Sequence, residues 1–94
     1  MSSFVDTKDP QSVRAESIDW SAEMALSSPN DTISTSTWTA SDSLVVDSDS
    51  NTNTVASCVI SAGRLWAYCM LTNHIVTAAG YEYDATIIVE IKPA

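Results

Sequence analysis

Apolar and polar residues alternate along several short segments of the chain, which is the pattern of half-buried β-strands. In "TVASCVISA", the alternate positions Ala56, Cys58 and Ile60 are predicted to face a core. The segment "LWAYCMLTNHIVTA" predicts the longest strand, and "ESIDWSA" and "ATIIVEIK" alternate in the same way. The positions that share one face are Ile18, Trp20 and Ala22 in "ESIDWSA" and Cys69, Leu71 and Ile75 in the longest strand, while in "ATIIVEIK" the positions predicted to face inward are Ala85, Ile87, Val89 and Ile91.

Turn-forming residues separate these segments. Pro29 and its neighbours interrupt "EMALSSPND", which we interpret as a turn region, and Gly63 and Gly80 mark two further turns. In "TISTSTWTA", Ile33 and Trp38 have opposite parity, so either a bulge reconciles them or Trp38 faces the second side. About seven short strands at this spacing predict a single all-β antiparallel sandwich over residues 15–94, preceded by an extended N-terminal arm over residues 1–14.

Charge narrows the range of partners. The 94-residue chain has a net charge of −8 with only four Lys and Arg residues, so phosphate backbones and anionic membranes would repel it. We therefore expect neither a nucleic-acid nor a membrane partner. The first residues contain no apolar signal core, and we expect synthesis in a reducing cytoplasm.

The stretch "VVDSDSNTNT", residues 45–54, spaces Asp and Asn at every second position, as a calcium loop does at its start. Counted from Asp47, the Gly and Glu that such a loop requires at positions 6 and 12 are Thr52 and Cys58. We interpret the run from Asp47 to Asn53 as a turn between two strands, and a weak cation site is the alternative.

Residues capable of chemistry are few. Cys58 and Cys69 flank the Gly63 turn almost symmetrically, so a disulfide is conceivable, although two free buried cysteines suit a cytoplasmic protein better. His74 lies in mid-strand without nucleophile-elbow glycines, and we interpret it as a structural or surface histidine. No residue constellation indicates a catalytic, cofactor or metal site, so we expect a protein that is not an enzyme and needs no cofactor.

The longest predicted strand is apolar on both faces. Trp66, Tyr68 and Met70 form a row beside the inward-facing positions. Such a row either packs internally or presents a contact surface, and aromatic residues are common interface anchors. We predict a partner interface at Phe4, Val5, Trp66, Tyr68 and Met70.

Several motifs follow one another in order and cover nearly the whole chain. They are Lys8-Asp9-Pro10, Ile18-Asp19-Trp20-Ser21, Asp31-Thr32-Ile33, Ser36-Thr37-Trp38, Asp47 to Thr52, Ala62-Gly63 and Thr72-Asn73-His74-Ile75. Their order resembles a family of small virion proteins of tailed bacteriophages, described as fibre–tail adaptors or head-tail proteins. The stretch "RLWAYCML" is more apolar than the Thr/Gly-rich stretch usual in that family.

This resemblance implies an immunoglobulin-like sandwich and a non-enzymatic structural role in the virion, as an adaptor or decoration protein. The implied partners are tail, connector, fibre or capsid subunits, contacted by multiple symmetric copies. The rival hypothesis is a carbohydrate- or host-surface-binding module that uses Trp66, Tyr68, Tyr81 and Tyr83 as stacking platforms.

Overall fold

Two packed β-sheets and one short helix make up the chain in a computed structural model. It describes residues 3–93, and for residues 3–5 and for Ser27 it describes the backbone alone. The elements are β1 Ser3–Lys8, β2 Arg14–Asp19, α1 Ser21–Ser27, β3 Ile33–Ala40, β4 Leu44–Asn51, β5 Val55–Ala62, β6 Tyr68–Thr77 and β7 Glu82–Ile91.

The predicted all-β sandwich is confirmed. One sheet has the strand order β1-β7-β6-β3 and the other has the order β2-β5-β4. The pairing within residues 15–94 is antiparallel as predicted, and the one parallel pair joins β7 to β1, which lies in the segment predicted as an arm. The immunoglobulin-like assignment stays a prediction: the orders β2-β5-β4 and β7-β6-β3 follow that pattern, whereas β1 pairs with the opposite sheet.

The segment interpreted as an N-terminal arm is extended over Ser3–Lys8, where its backbone pairs with β7. The division of the chain at residue 14 stays a prediction.

The core lies between the sheets, at the positions where the alternation placed it. Ala56, Cys58 and Ile60 on β5 are buried, as are the inward positions of β6 and β7. Burying an aliphatic side chain of this size contributes roughly 1.5–3 kcal/mol relative to leaving it exposed. Of the two alternatives for β3, the bulge is the one found, because the register shifts between Ile33 and Thr35 and both Ile33 and Trp38 face the core.

The helix α1 was not predicted. Residues 21–27 were interpreted as the end of a strand and a turn, and Ala22 was expected to face the core, but it is exposed. The segment "AEMAL" consists of good helix formers, and Asp19 accepts a hydrogen bond from the Ser21 N–H at 2.9 Å. Two turns are too short for a periodic pattern to emerge, although Met24 buries one side of the helix in the core.

The polar stretch after Val46 also differs from expectation. Residues 47–51 belong to β4, and the turn covers only Thr52 to Thr54, where the Thr52 Oγ1 accepts a hydrogen bond from the Val55 N–H at 3.1 Å. β4 is an edge strand, and its exposed polar and acidic side chains discourage pairing with other strands. The described residues contain no group of three or more His, Cys, Asp or Glu side chains able to hold a metal ion.

A polar contact joins the two layers inside the core. Trp20, which follows β2, donates from Nε1 to the Asn73 Oδ1 on β6 at 2.8 Å. The Asn73 Nδ2 donates to the Ser36 Oγ and to the Thr37 carbonyl oxygen, each at 3.0 Å. The Trp20 ring also packs against Tyr83, with centroids 5.9 Å apart. The Oδ1 of the buried amide and both hydrogens of its Nδ2 therefore have partners.

A second contact links the two sheets at the edge where β1 lies near β2. Asp6 on β1 and Glu16 on β2 share a hydrogen bond between their carboxyl groups, and the Arg14 Nη2 lies 3.2 Å from the Asp6 Oδ2. Burial, followed by this hydrogen bond, raises the pKa of Glu16 to about 7, whereas the bond lowers the pKa of Asp6. At mildly acidic pH the pair therefore holds about one proton, and it loses this proton as the pH rises through about 7.

Replacement of Asn73 by Leu should lower the free energy of unfolding by about 2–4 kcal/mol, because the Trp20 N–H and the Thr37 carbonyl lose their buried partner. Urea unfolding followed by tryptophan fluorescence measures this change. The matched control is Asn51→Leu on the exposed edge strand, with an expected change within about 0.5 kcal/mol. Equal effects of the two variants would contradict the role of the Asn73 amide.

Gly63→Ala and Gly80→Ala separate backbone strain from packing. Both glycines have positive φ, 104° at Gly63 and 93° at Gly80. A Cβ added at Gly63 would lie 2.7 Å from the Ile91 Cδ1. A Cβ added at Gly80 would have no heavy atom within 4 Å. We expect Gly80→Ala to cost about 1 kcal/mol and Gly63→Ala about 2–4 kcal/mol in thermal unfolding. A larger loss at Gly80 would refute the close approach of Ile91.

Stability should fall as the pH rises from 5.5 to 8. A carboxyl whose folded pKa lies above its unfolded value stabilises the fold fully below the unfolded pKa, and this contribution is lost as the pH rises through about 7 for Glu16. Glu16→Gln keeps a donor for Asp6 without titrating, so it should flatten the pH dependence of the urea unfolding midpoint. His74, whose pKa is also raised, contributes with the same sign, so the comparison uses a His74→Gln background. An unchanged slope in Glu16→Gln would contradict the shared proton.

Candidate docking surface

Exposed apolar side chains gather at the end of the sandwich where β5 passes to β6. Trp66 is 67% exposed, Tyr68 61% and Met70 52%, and Leu65 is also exposed. We call these four residues the apolar platform. Large apolar side chains this open to solvent are uncommon on an isolated domain when they are neighbours.

The platform includes a loop as well as a strand. The predicted strand row contains Trp66, Tyr68 and Met70, but β6 begins at Tyr68 and Trp66 lies in the connection before it. This connection crosses from one sheet to the other, so the turn predicted at Gly63 does not join two paired strands. Apolar composition alone did not distinguish the loop from the strand.

The backbone at Trp66 adopts a conformation that non-glycine residues rarely use. Its φ is 68°, in the left-handed region, which costs of order 1 kcal/mol or more. Hydrogen bonds to β7 hold it there: the Trp66 N–H donates to the Ile91 carbonyl at 2.7 Å, and the Ile91 N–H donates to the Ala67 carbonyl at 2.9 Å. The neighbouring Ala67 is buried. The loop is thus fixed with its largest side chain in solvent.

The turn between β3 and β4 supports this loop from the other side. The Gly63 N–H donates to the Ser43 carbonyl and the Arg64 N–H to the Asp42 carbonyl, both at 3.1 Å. The Met70 N–H donates to the Ser41 Oγ at 2.8 Å. The two connections that cross between the sheets therefore brace each other beside the platform.

Tyr68 and Met70 extend the platform onto the outer face of the four-stranded sheet. The Tyr68 hydroxyl shares a hydrogen bond with the Glu90 carboxylate on β7, which raises the pKa of Tyr68. Met70 lies opposite Ile88 on β7.

The other two residues of the predicted interface lie on β1. By register, Val5 pairs with Ile88 and Phe4 with Ile87. Val5 therefore falls in the same row as Met70, one strand further along. The side chains of Phe4 and Val5 lie outside the described part of the chain.

The aromatic residues of the rival sugar-binding hypothesis do not converge. Tyr81 is exposed in the turn between β6 and β7, at the end of the sandwich opposite to the platform. Tyr83 is half-buried against Trp20, and its hydroxyl donates to the Glu23 carbonyl at 3.4 Å. Only Trp66 and Tyr68 of the proposed stacking set are neighbours.

His74 lies on the outer face of the four-stranded sheet between two carboxylates. Its Nε2 is 3.0 Å from the Glu82 Oε1, and its Nδ1 contacts the Asp84 carboxylate. The hydrogen bond with Asp84, followed by weaker contributions from both carboxylates, raises the pKa of His74. This surface ion-pair cluster fits the interpretation of His74 as a structural residue.

Both cysteines are free and buried, one in each sheet. Burial raises the pKa of Cys58 to about 12 and also raises the pKa of Cys69, so both thiols stay protonated near neutral pH. Only the thiolate is a good nucleophile or metal ligand. Cys58 and Cys69 therefore act as small apolar core residues.

Sequence reasoning missed Lys8, which is 3% exposed at the end of β1. Its Nζ donates to the Asp9 carbonyl at 2.8 Å and to the Ala62 carbonyl on β5 at 2.6 Å, which joins the two sheets. The flanking "DTKDP" gave no signal of a buried cation, because it is polar on both sides. No helix in residues 3–93 is long and apolar enough to cross a membrane.

The chain was also compared with known proteins. The family described as "Podophage GP4 fiber-tail adaptor protein gp77" matches residues 8–90, which include β2 to β6, most of β7 and the whole apolar platform. No curated protein matches the chain. A match over this much of the sequence shows that the chain belongs to the podophage fibre-tail adaptor family, whose members are structural proteins of the phage.

Proposed function

We propose that the apolar platform is the surface by which this adaptor docks on a neighbouring virion protein. The observation that carries the proposal is Trp66, which is two-thirds exposed and fixed in a left-handed backbone conformation by two braced turns. Folding alone gains little from an indole held in solvent by a strained backbone. A partner pocket that covers the indole would recover its burial free energy, and tryptophan is the residue type most enriched at interface hot spots.

The neighbouring residues suit the same role. Tyr68 and Met70 continue the apolar surface from the loop onto the sheet, and the ordered turns beneath them limit the entropy lost on binding. The row from Met70 through Ile88 to Val5 leads toward β1, so the N-terminal segment with Phe4 and Val5 is part of the proposed surface. The partners would be tail or fibre subunits.

Several symmetric copies would strengthen such docking. A stable interface normally takes about 20–30 residues from each side, and the platform supplies four. One copy would therefore bind weakly through it. A ring of copies on a symmetric partner converts the later contacts into intramolecular ones, which raises the overall avidity without new contacts.

Trp66→Ser should leave the isolated domain folded but reduce incorporation into particles at least about ten-fold, because a hot-spot residue is worth about 2 kcal/mol or more. Phage carrying the variant gene are purified, and the amount of this chain per particle is quantified by immunoblotting. Circular dichroism and thermal unfolding of the purified variant verify its fold. Tyr68→Ser should act in the same direction.

Leu26→Ser is the matched control, because Leu26 is 89% exposed on α1, away from the platform. Its incorporation should equal that of the wild type. Normal incorporation of Trp66→Ser would refute the platform as the docking surface, and an equal loss in Leu26→Ser would show that the defect is not specific to it.

A further inference from the structure

Basic residues gather in one cleft beside the ends of β1 and β7. The cleft has a volume of about 290 Å³, and Lys8, Arg14 and Lys92 line it together with Asp9 and Pro93. The whole chain has only four Lys and Arg residues and a net charge of −8. Three of the four cations therefore converge on one concave surface, which we call the basic cleft.

Lys8 is the unusual member of this group. Its side chain is almost fully buried, and its Nζ donates to two carbonyl oxygens, whereas an ammonium has three protons to donate. None of the ion pairs found among the described residues includes Lys8. Burial lowers the pKa of Lys8 despite the opposing influence of the Asp9 charge. A buried cation in this state is stabilised when a carboxylate approaches it.

Arg14 and Lys92, at the rim of the cleft, retain capacity to bind a further anion. The Arg14 guanidinium contacts the Asp6 carboxylate and the Thr7 carbonyl, which leaves further N–H donors of its five. The Lys92 Nζ lies 3.8 Å from the Glu90 Oε1, a loose and half-exposed pair. Weak exposed pairs of this kind exchange partners at little cost.

The basic cleft adjoins the apolar platform. The Trp66 N–H donates to the carbonyl of Ile91, the residue before Lys92, and the Lys8 Nζ contacts the carbonyl of Ala62, just before Gly63. One partner segment could therefore cover the indole and reach the cleft together. Such an arrangement would supply both the apolar centre and the charged rim of an interface.

We propose that the basic cleft binds the carboxylate groups of an acidic segment of the protein that docks on the apolar platform. The choice of a virion protein as the occupant rests on the proposed function, but the affinity of the cleft for carboxylates does not. Nucleic acid is the less favoured anion, because an extended phosphate chain would meet the acidic remainder of the surface.

The experiment titrates the ¹⁵N-labelled full chain with a blocked six-residue peptide of alternating Asp and Glu, and in parallel with its Asn/Gln counterpart. NMR chemical shifts report the residues affected. We expect the acidic peptide alone to shift the amides of residues 7–14 and of Lys92, and we expect the binding to weaken as salt rises. Lys92→Gln should weaken the affinity about three-fold or more, and Lys8→Met more strongly if that variant folds.

Arg64→Gln is the matched control, because Arg64 is the fourth cation of the chain and lies outside the cleft. It should leave the affinity unchanged. The proposal is overturned if the acidic peptide shifts no amide in the cleft, if the Asn/Gln peptide binds equally well, or if Arg64→Gln weakens binding as much as Lys92→Gln. Tighter binding of a phosphate-bearing oligonucleotide than of the peptide would also overturn it.

This outcome is independent of the platform test. Trp66→Ser should bind the acidic peptide with unchanged affinity, because the indole does not line the cleft. If the acidic peptide does not bind but Trp66→Ser still reduces incorporation, the proposal for the cleft is refuted and the proposal for the platform stands. If the acidic peptide binds but Trp66→Ser is incorporated normally, the proposal for the platform is refuted and the proposal for the cleft stands.

Discussion

The hydrogen bond between the Trp20 indole and the Asn73 amide fixes how the two layers of this sandwich meet. Apolar packing alone tolerates sliding of one sheet over the other, because contacts between apolar side chains depend little on direction. A buried amide has a direction, and Asn73 also binds the Ser36 hydroxyl and the Thr37 carbonyl on β3. Trp20 connects this centre to the start of α1, since its carbonyl accepts from the Met24 N–H. The buried side chains of Trp20 and Asn73 thus orient α1, β3 and both sheets relative to one another.

Crossings between the sheets determine the shape of the surface at the other end of the strands. The chain leaves β5 in the three-stranded sheet and enters β6 in the four-stranded sheet through residues 63–67, and it passes from β3 to β4 through residues 41–43. Both connections contain non-glycine residues with positive φ, namely Asp42, Ser43 and Trp66. Turning this sharply is possible because each connection hydrogen-bonds to the other. The same geometry that closes the sandwich also displays the platform.

The sequence was informative where a single physical rule decides the outcome. Period-two alternation grouped the residues that share the buried faces of β5, β6 and β7, and the parity conflict between Ile33 and Trp38 offered the bulge as one of two solutions. It failed where two rules compete. Good helix formers overrode the strand and turn interpretation at Ser21–Ser27, and pairing with β5 drew residues 47–51 into a strand despite turn-like composition. The exposure of Trp66, Tyr68 and Met70 depends on tertiary packing, and the burial of Lys8 depends on the distant Ala62 carbonyl, so composition alone left both open.

The arrangement of charge along the strands has a consequence for assembly kinetics. All four Lys and Arg residues lie toward the platform end, where Asp6, Asp9, Asp42 and Glu90 offset their charge. At the other end, the carboxylates Asp19, Glu23, Asp31, Glu82 and Asp84 have no Lys or Arg to offset them. The molecule measures 42 Å along its longest axis, which suits ten-residue strands that each span roughly 33 Å. Charge separated over that length gives the free domain a permanent electric dipole. In the electric field of a charged surface, the domain rotates before it collides, so it arrives already oriented. Dissolved salt screens this field, so association slows as the salt concentration rises.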